Sequence, residues 1–365
     1  MKRAGFSICL LIFCVCLPAF GANALDSLQV GNAEIKSAGS LAFGPEGILL
    51  VGDSTDGSIW AIDTGDRTSS SSAAAINLSG VDGKLAGLLG IARDQVLIND
   101  MVVNPISRKA YLSASRGRGP DAQPVLASVD ASGTISVLNL EAIRHSKVAI
   151  PNLPDPSVKD RRGQSRRGEA ITDLAYVDGQ VLLAGLSNEE FASKLRSVRF
   201  PFSGADIGAS VEIFHGAHGR FETNSPVRTF VPFEIKSEPH ILAAYTCTPL
   251  VTFPTAELKP GSKVMGTTIA ELGNRNRPLD MVVYRKNGTQ FVLMANSSRG
   301  VMKLGADNLD TFKGITERTD VSGVPYETIE GWTGVQQLAK LDEGHALLLI
   351  QGEDGASNLK TVAFP

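Results

Sequence analysis

The sequence predicts an all-β chain folded as a β-propeller, with six blades of about four strands each. Three observations predict it. Short apolar runs are separated by Gly, Asn and Asp turns, one strand–turn–strand pattern recurs along the chain, and amphipathic helical periodicity is scarce. Hairpins repeated at a spacing of tens of residues read as blades, which close radially and leave no long sheet edge exposed.

The copies can be placed one by one. The clearest occupies residues 41–63, LAFGPEGILLVGDSTDGSIWAID, with Gly44-Pro45-Glu46-Gly47 at its first turn and residues 53–57 at its second. A second begins at Met101 (MVVNPISRKAYLSASRGRG) and continues, after an inserted loop, as PVLASVDASGTISVL. The third starts at Leu174, the fifth at Met281 and the sixth at Leu338. A weaker fourth copy, ILAAYTCTPLVTF from Ile241, has nearly lost its first turn. Spacing between copies is uneven, so a seventh blade stays open at this stage.

Composition narrows the function classes. Of 365 residues, 43% are hydrophobic and 20% charged, which excludes a disordered chain, and four Cys are too few for a disulfide scaffold. A formal charge of −3 gives no basic field for nucleic acid. Lys2 and Arg3 precede an apolar run over residues 4–20, and Ala22-Asn23-Ala24 supplies small residues where a signal peptidase reads. Residues 1–24 are therefore expected to be an export signal, leaving 25–365 as one propeller domain in the periplasm or outside the cell. No other apolar run approaches the roughly 18 residues of a membrane span. Cleavage removes Cys9, Cys14 and Cys16, so Cys247 becomes an unpaired thiol in an oxidising setting.

The copies resemble the blades of NHL and gluconolactonase-like six-bladed propellers, with FGPEGILLVGDSTDGSIWAID similar to their signature. The likeness covers most of the mature chain. It implies a fold and not a reaction.

Two segments read as insertions. SSSSAAA at 69–75 is low in complexity, and 158–169 carries four Arg, the pattern of a solvated loop or of a dock for an anionic partner.

Three groups of residues carry chemistry. The first is a His/Cys cluster: His215 and His218 form an H-x-x-H pair among glycines, followed by His240 and Cys247. Imidazole and thiolate suit copper or zinc. His240 and Cys247 stand at opposite ends of one expected inner strand, and seven extended residues span roughly 23 Å. The economical metal site is thus His215, His218 and His240, with Cys247 separate. Hydrogen-bonded loop histidines are the plainer reading of the same residues.

The second group is acidic. Asp100, Asp173 and Asp280 each precede an inner strand at the same repeat position, and Glu238 stands close to the corresponding place in the fourth copy. Converging carboxylates repel unless a hard cation such as calcium offsets them. The gluconolactonase-like resemblance implies a divalent metal at the channel mouth, held by such side chains. Asp before a strand also commonly caps a turn.

The third group follows the second strand of each blade. Ser-Arg-Gly recurs at Arg116 and Arg299, and guanidinium forks bind carboxylate or phosphate bidentately. The stretch Gly273-Asn274-Arg275-Asn276-Arg277-Pro278 adds two Arg before Asp280 and is similar to a segment of soluble quinoprotein sugar dehydrogenases. No nucleophile elbow, Walker loop, dinucleotide-binding glycine motif or haem-attachment motif is present.

The expected function is an exported propeller that binds a metal ion or small ligand as a binding or accessory protein. One alternative is a metal-dependent enzyme of lactonase or quinoprotein dehydrogenase type, with Asp100, Asp173, Glu238 and Asp280 as its carboxylates. A scaffold for another exported protein is the other.

Overall fold

A computed structural model describes residues 23–70, 74–160 and 163–365. Most of the segment expected to be an export signal, part of the serine-rich loop and Arg161–Arg162 therefore lie outside the described residues. Strands dominate, and six antiparallel sheets of four to six strands make six blades. Among the described residues no helix is long and apolar enough to cross a membrane.

The inner strands, in chain order, begin at Leu41, Val96, Asp173, Val227, Pro278 and Val335. Each touches two others, and the contacts close a ring in the order first, second, sixth, fifth, fourth, third. Both faces of a blade pack on neighbours, so Ile48–Asp53 is buried at every position instead of alternating. Apolar clusters fill the six gaps. Leu49, Val51 and Trp60 of the first blade meet Tyr111 and Leu126 of the second, while Ile48, Leu50 and Ile59 meet Leu174, Val181 and Leu183 of the third.

Blade order departs from chain order. The chain leaves the first blade after its third strand, Ser58–Asp63, and lays Asn77–Leu78 on the outer edge of the sixth blade. It then forms the helix Val81–Leu89, which buries Val81, Leu85 and Ala86 and stops at Gly90, whose φ of 68° suits glycine. After building the second blade it returns, and Ile143–Ala149 becomes the fourth strand of the first. Strand exchange recurs further on: Lys263–Met265, from the fourth blade's stretch of chain, pairs in parallel with Ala209–His215 of the third, and Val321–Gly323, from the fifth's, edges the fourth. Together these exchanges account for the uneven spacing of the copies.

The fourth blade corrects the sequence reading. Its inner strand is Val227–Ile235, and the segment from Ile241 belongs to its second strand, Glu238–Tyr245. The intervening turn is Lys236-Ser237, with φ of 52° and 63°. A two-residue hairpin turn of this geometry normally shows itself by Asn-Gly or Asp-Gly, and here it carries neither.

Asp100, Asp173 and Asp280 hold matching places in the inner strands, Asp100 and Asp280 inside the strand instead of before it, and do one structural job. Each carboxylate accepts the N–H of the following residue, and its other oxygen accepts an N–H from the neighbouring blade. Those donors are Leu41 at 2.6 Å, Phe230 at 2.8 Å and Leu338 at 2.7 Å. Equivalent positions on the other three blades hold Ser40, Thr229 and Gln337, so acid and neutral residues alternate around the axis. The carboxyls face the axis and keep some surface there, but protein encloses them. Burial raises Asp100 to about 6, and burial with the Asp100 charge raises Asp173 to about 7. Burial and the same neighbouring charge push Asp280 well above the ordinary carboxylate range.

Two expectations follow from this arrangement. Asn77 and Lys360 are directly paired across the closing strands, so Asn77→Cys with Lys360→Cys should form a disulfide on oxidation. Non-reducing peptide mapping reads it, and absence of the linked peptide would remove the proposed closure. The raised values of Asp100 and Asp173, against an ordinary 3.8, mean the folded chain keeps protons that the unfolded chain has released. Their contribution to stability therefore falls as pH rises from about 4 to about 7. The melting temperature should drop between pH 5 and pH 8, and Asp173→Asn should flatten that slope.

Candidate metal centre

The sequence HGAHGRFE folds as a tight hairpin at the end of the third blade's fourth strand, Ala209–His215, which returns through Arg220–Glu222. His215 accepts the amides of His218 (3.1 Å) and Gly219 (2.8 Å) on its carbonyl, closing the turn. Phe214 and Phe221 pack edge to face at 5.2 Å beneath it. Gly216 is required by proximity, because a Cβ there would lie 2.8 Å from Glu271 of the fourth blade. The fourth strand ends on the face where the inner strands begin, so the turn shares a face with the aspartate ring but sits at the outer rim.

The turn brings His215 and His218 onto one carboxylate. Nδ1 of His215 lies 2.9 Å from one oxygen of Glu222, and Nδ1 of His218 lies 2.6 Å from the other. The imidazole rings stand 3.9 Å apart, tilted by 35°. Donor atoms of His215, His218 and Glu222 all lie within 4.8 Å of one another. Ser225 Oγ donates to Glu222 at 2.6 Å and Arg220 Nε at 3.3 Å. Against the upward push of burial, hydrogen bonds from His215, Ser225 and His218 hold the Glu222 carboxyl well below the usual carboxylate range. His215 is 2% exposed and its Nε2 has no partner, whereas His218 is open to solvent.

Glu271 packs behind the turn. One oxygen accepts the Gly216 amide at 2.5 Å, and the other is buried without a partner. Burial, partly offset by the Gly216 and Ala217 amides, pushes Glu271 up to about 8.

The other sequence-predicted residues lie elsewhere. His240 is near the start of the second strand of the fourth blade, paired with Phe233 and Pro254, and its ring bonds the Glu238 carbonyl at 2.8 Å. Cys247 occupies the turn at the other end of that strand with φ of 63°, and its thiol is free. Glu238 opens the second strand instead of preceding an inner one, so it stands apart from the aspartate ring. Arg116 ends the second strand of the second blade and reaches Gln123 at 3.5 Å, while Arg299 of the fifth blade bonds the Asn274 carbonyl at 3.2 Å. The sixth blade stands between those two blades, so the two guanidiniums do not share a gap. In the Arg-bearing loop, Arg167 is spent on the carbonyls of Ser54, Pro154 and Asp56.

Sequence reasoning missed Glu222. The available signal was its spacing, four residues after His218, which a glycine-bounded hairpin folds back onto the histidines.

No protein-family model and no curated protein matches this chain. Among solved structures it is similar to the PQQ-bound aldose sugar dehydrogenase of Streptomyces coelicolor, at 12% identity and a TM-score of 0.38 over 92% of this chain and 96% of that one. A putative oxidoreductase (glucose dehydrogenase) of Thermus thermophilus shows 13% identity and a TM-score of 0.36 over 92% and 100%. Kuenenia stuttgartiensis hydrazine synthase shows 11% identity and a TM-score of 0.38 over 91% and 97%. Likenesses this distant carry nothing about chemistry, and the six-bladed propeller is established by the sheets and their ring of contacts.

Proposed function

We propose that the chain is an exported six-bladed propeller that binds a transition-metal ion, zinc or copper, at His215, His218 and Glu222, as a binding or accessory protein. The observation that carries this reading is the convergence of two imidazoles on one carboxylate, with donor atoms within 4.8 Å. Metal–ligand bonds of about 2.0–2.2 Å place neighbouring donors of a tetrahedral site about 3.3–3.5 Å apart, so the hydrogen-bonded contacts need open by less than about 1 Å. An N₂O donor set favours zinc or copper over calcium, which takes six to eight oxygens. Exposure of His218 leaves a fourth position for water or a small ligand, as in sites that exchange their cargo. Export is supported by Lys2, Arg3, the apolar run behind them and Ala22-Asn23-Ala24.

Elemental analysis of the protein purified without chelator or affinity tag tests this reading, with calorimetric titration of zinc and copper alongside. Near-stoichiometric metal is expected. Glu222→Gln should weaken binding by about tenfold or more, and His215→Ala with His218→Ala should abolish it. His240→Ala should change nothing. Undiminished metal in the double variant would sink the proposal, as would a protein that neither carries nor binds either ion.

A further inference from the structure

Across the axis from the histidine turn, the second, fifth and sixth blades open a cleft of about 500 Å³. The inner strands of these blades bulge at matching places, as that of the fourth does between Val227 and Thr229. Pairing skips one residue between Ile98 and Asp100, between Pro278 and Asp280, and between Val335 and Gln337. Bulges of this kind re-aim side chains, and bulge residues Leu279 and Gln336 both line the cleft.

The charges in the cleft are unevenly satisfied. Asp82 accepts the Ser357 amide at 3.0 Å and lies 3.8 Å from Arg93, which also reaches the Asp354 carbonyl. Arg118 is held by the carbonyls of Asp94 and Val96, and Asp94 leaves an exposed carboxylate at the rim. Arg277 differs. Its backbone is anchored to Ser297, but its guanidinium has no hydrogen-bonded or ion-paired partner among the described residues. The acid whose charge acts on it, Glu169, makes its own close ion pair with Arg228 at 2.6 Å. Burial and the Arg228 charge disfavour the Arg277 cation, and Glu169 offsets them only in part. Around it, Gln337 spends its amide N–H on the Asn99 carbonyl and Gln336 on the Gly334 carbonyl. Leu97 and Leu279 supply an apolar wall, and Leu97 is 44% exposed.

We infer that this cleft is a binding site for a small amphipathic organic anion, its acid group on the Arg277 fork and its apolar body against Leu97 and Leu279. A planar guanidinium with all its donors unspent matches a carboxylate or sulfonate bidentately, and such charge-assisted pairs are the strong ones. The apolar wall selects against inorganic phosphate, which would bring nothing to bury there. This site is independent of the metal site at the rim, which belongs to the third and fourth blades.

The probe is 8-anilinonaphthalene-1-sulfonate, followed by fluorescence at low ionic strength, with benzoate and its neutral isostere benzamide as competitors. Saturable one-to-one binding is expected, with displacement by benzoate and not by benzamide. Arg277→Gln should weaken binding by about tenfold or more, the scale of a lost charge-assisted pair. Its melting temperature should stay at the wild-type value, because the side chain makes no contact that the fold needs. Leu97→Glu, at an exposed wall position, should weaken binding comparably by placing a negative charge beside the anion. Equal displacement by benzoate and benzamide, wild-type affinity in both variants, or no saturable binding at all would overturn the inference.

Discussion

The structure depends on a hydrogen bond that crosses from one blade to the next. Inner strands of a propeller face the axis, so N–H groups on that edge cannot be satisfied by a further strand. Asp100, Asp173 and Asp280 meet that need by reaching one blade over, to Leu41, Phe230 and Leu338. Six such acids would place six charges around one axis. Alternation with Ser40, Thr229 and Gln337 keeps the clamp at every second junction and halves the charge. What repulsion remains is visible in the raised values of Asp173 and Asp280, each of which has Asp100 among its causes. The ring thus trades electrostatic strain for fixed blade positions, and its carboxylate oxygens are occupied by main-chain donors.

Closure has a second layer in the order of the chain. The second and sixth blades are neighbours in the ring although their inner strands are far apart in the chain. They are joined by Asn77–Leu78 on the sixth blade and by the helix Val81–Leu89 that follows, whose Asp82 takes the Ser357 amide. The cleft of Arg277 opens beside that junction, where an inserted helix and bulged strands leave space that a regular blade would fill. The histidine turn lies between the third and fourth blades, held by its own hairpin, by Glu271 behind it and by the Thr319 amide, which donates to the Gly216 carbonyl at 3.1 Å.

How far this was legible in the sequence differs by element. Five copies gave themselves away through Gly, Asn or Asp turns, and their inner strands fall where Leu41, Met101, Leu174, Met281 and Leu338 place them. The fourth did not, since Lys236-Ser237 bends without glycine and Pro232 sits inside the inner strand. Strand exchange was illegible in principle. Asn77–Leu78 is a two-residue strand whose partner lies about 280 positions away, and no local pattern encodes such a pairing. At the candidate site, His215 and His218 were visible as a motif. Glu222 was hidden because its role comes from a hairpin folding it back, and His240 was drawn in by nearness in sequence, although it lies towards the far end of the adjoining blade.

The modest net charge of −3 conceals a division across one face of the molecule. On one side Glu222 and Glu271 crowd the histidine turn, with Asp320 close enough to act on Glu271 and the exposed Arg220 as the cation paired with Glu222. On the other, Arg277 stands with the Arg228 charge against it and shares Glu169 with that same arginine. Long flexible side chains usually cancel such imbalances by forming surface pairs, each contributing little. Here the ring stands between them, and its three carboxylates are already bound to backbone. Neither the Glu222 side nor the Arg277 side can therefore neutralise the other. Each is balanced, where it is balanced, by groups of its own neighbourhood.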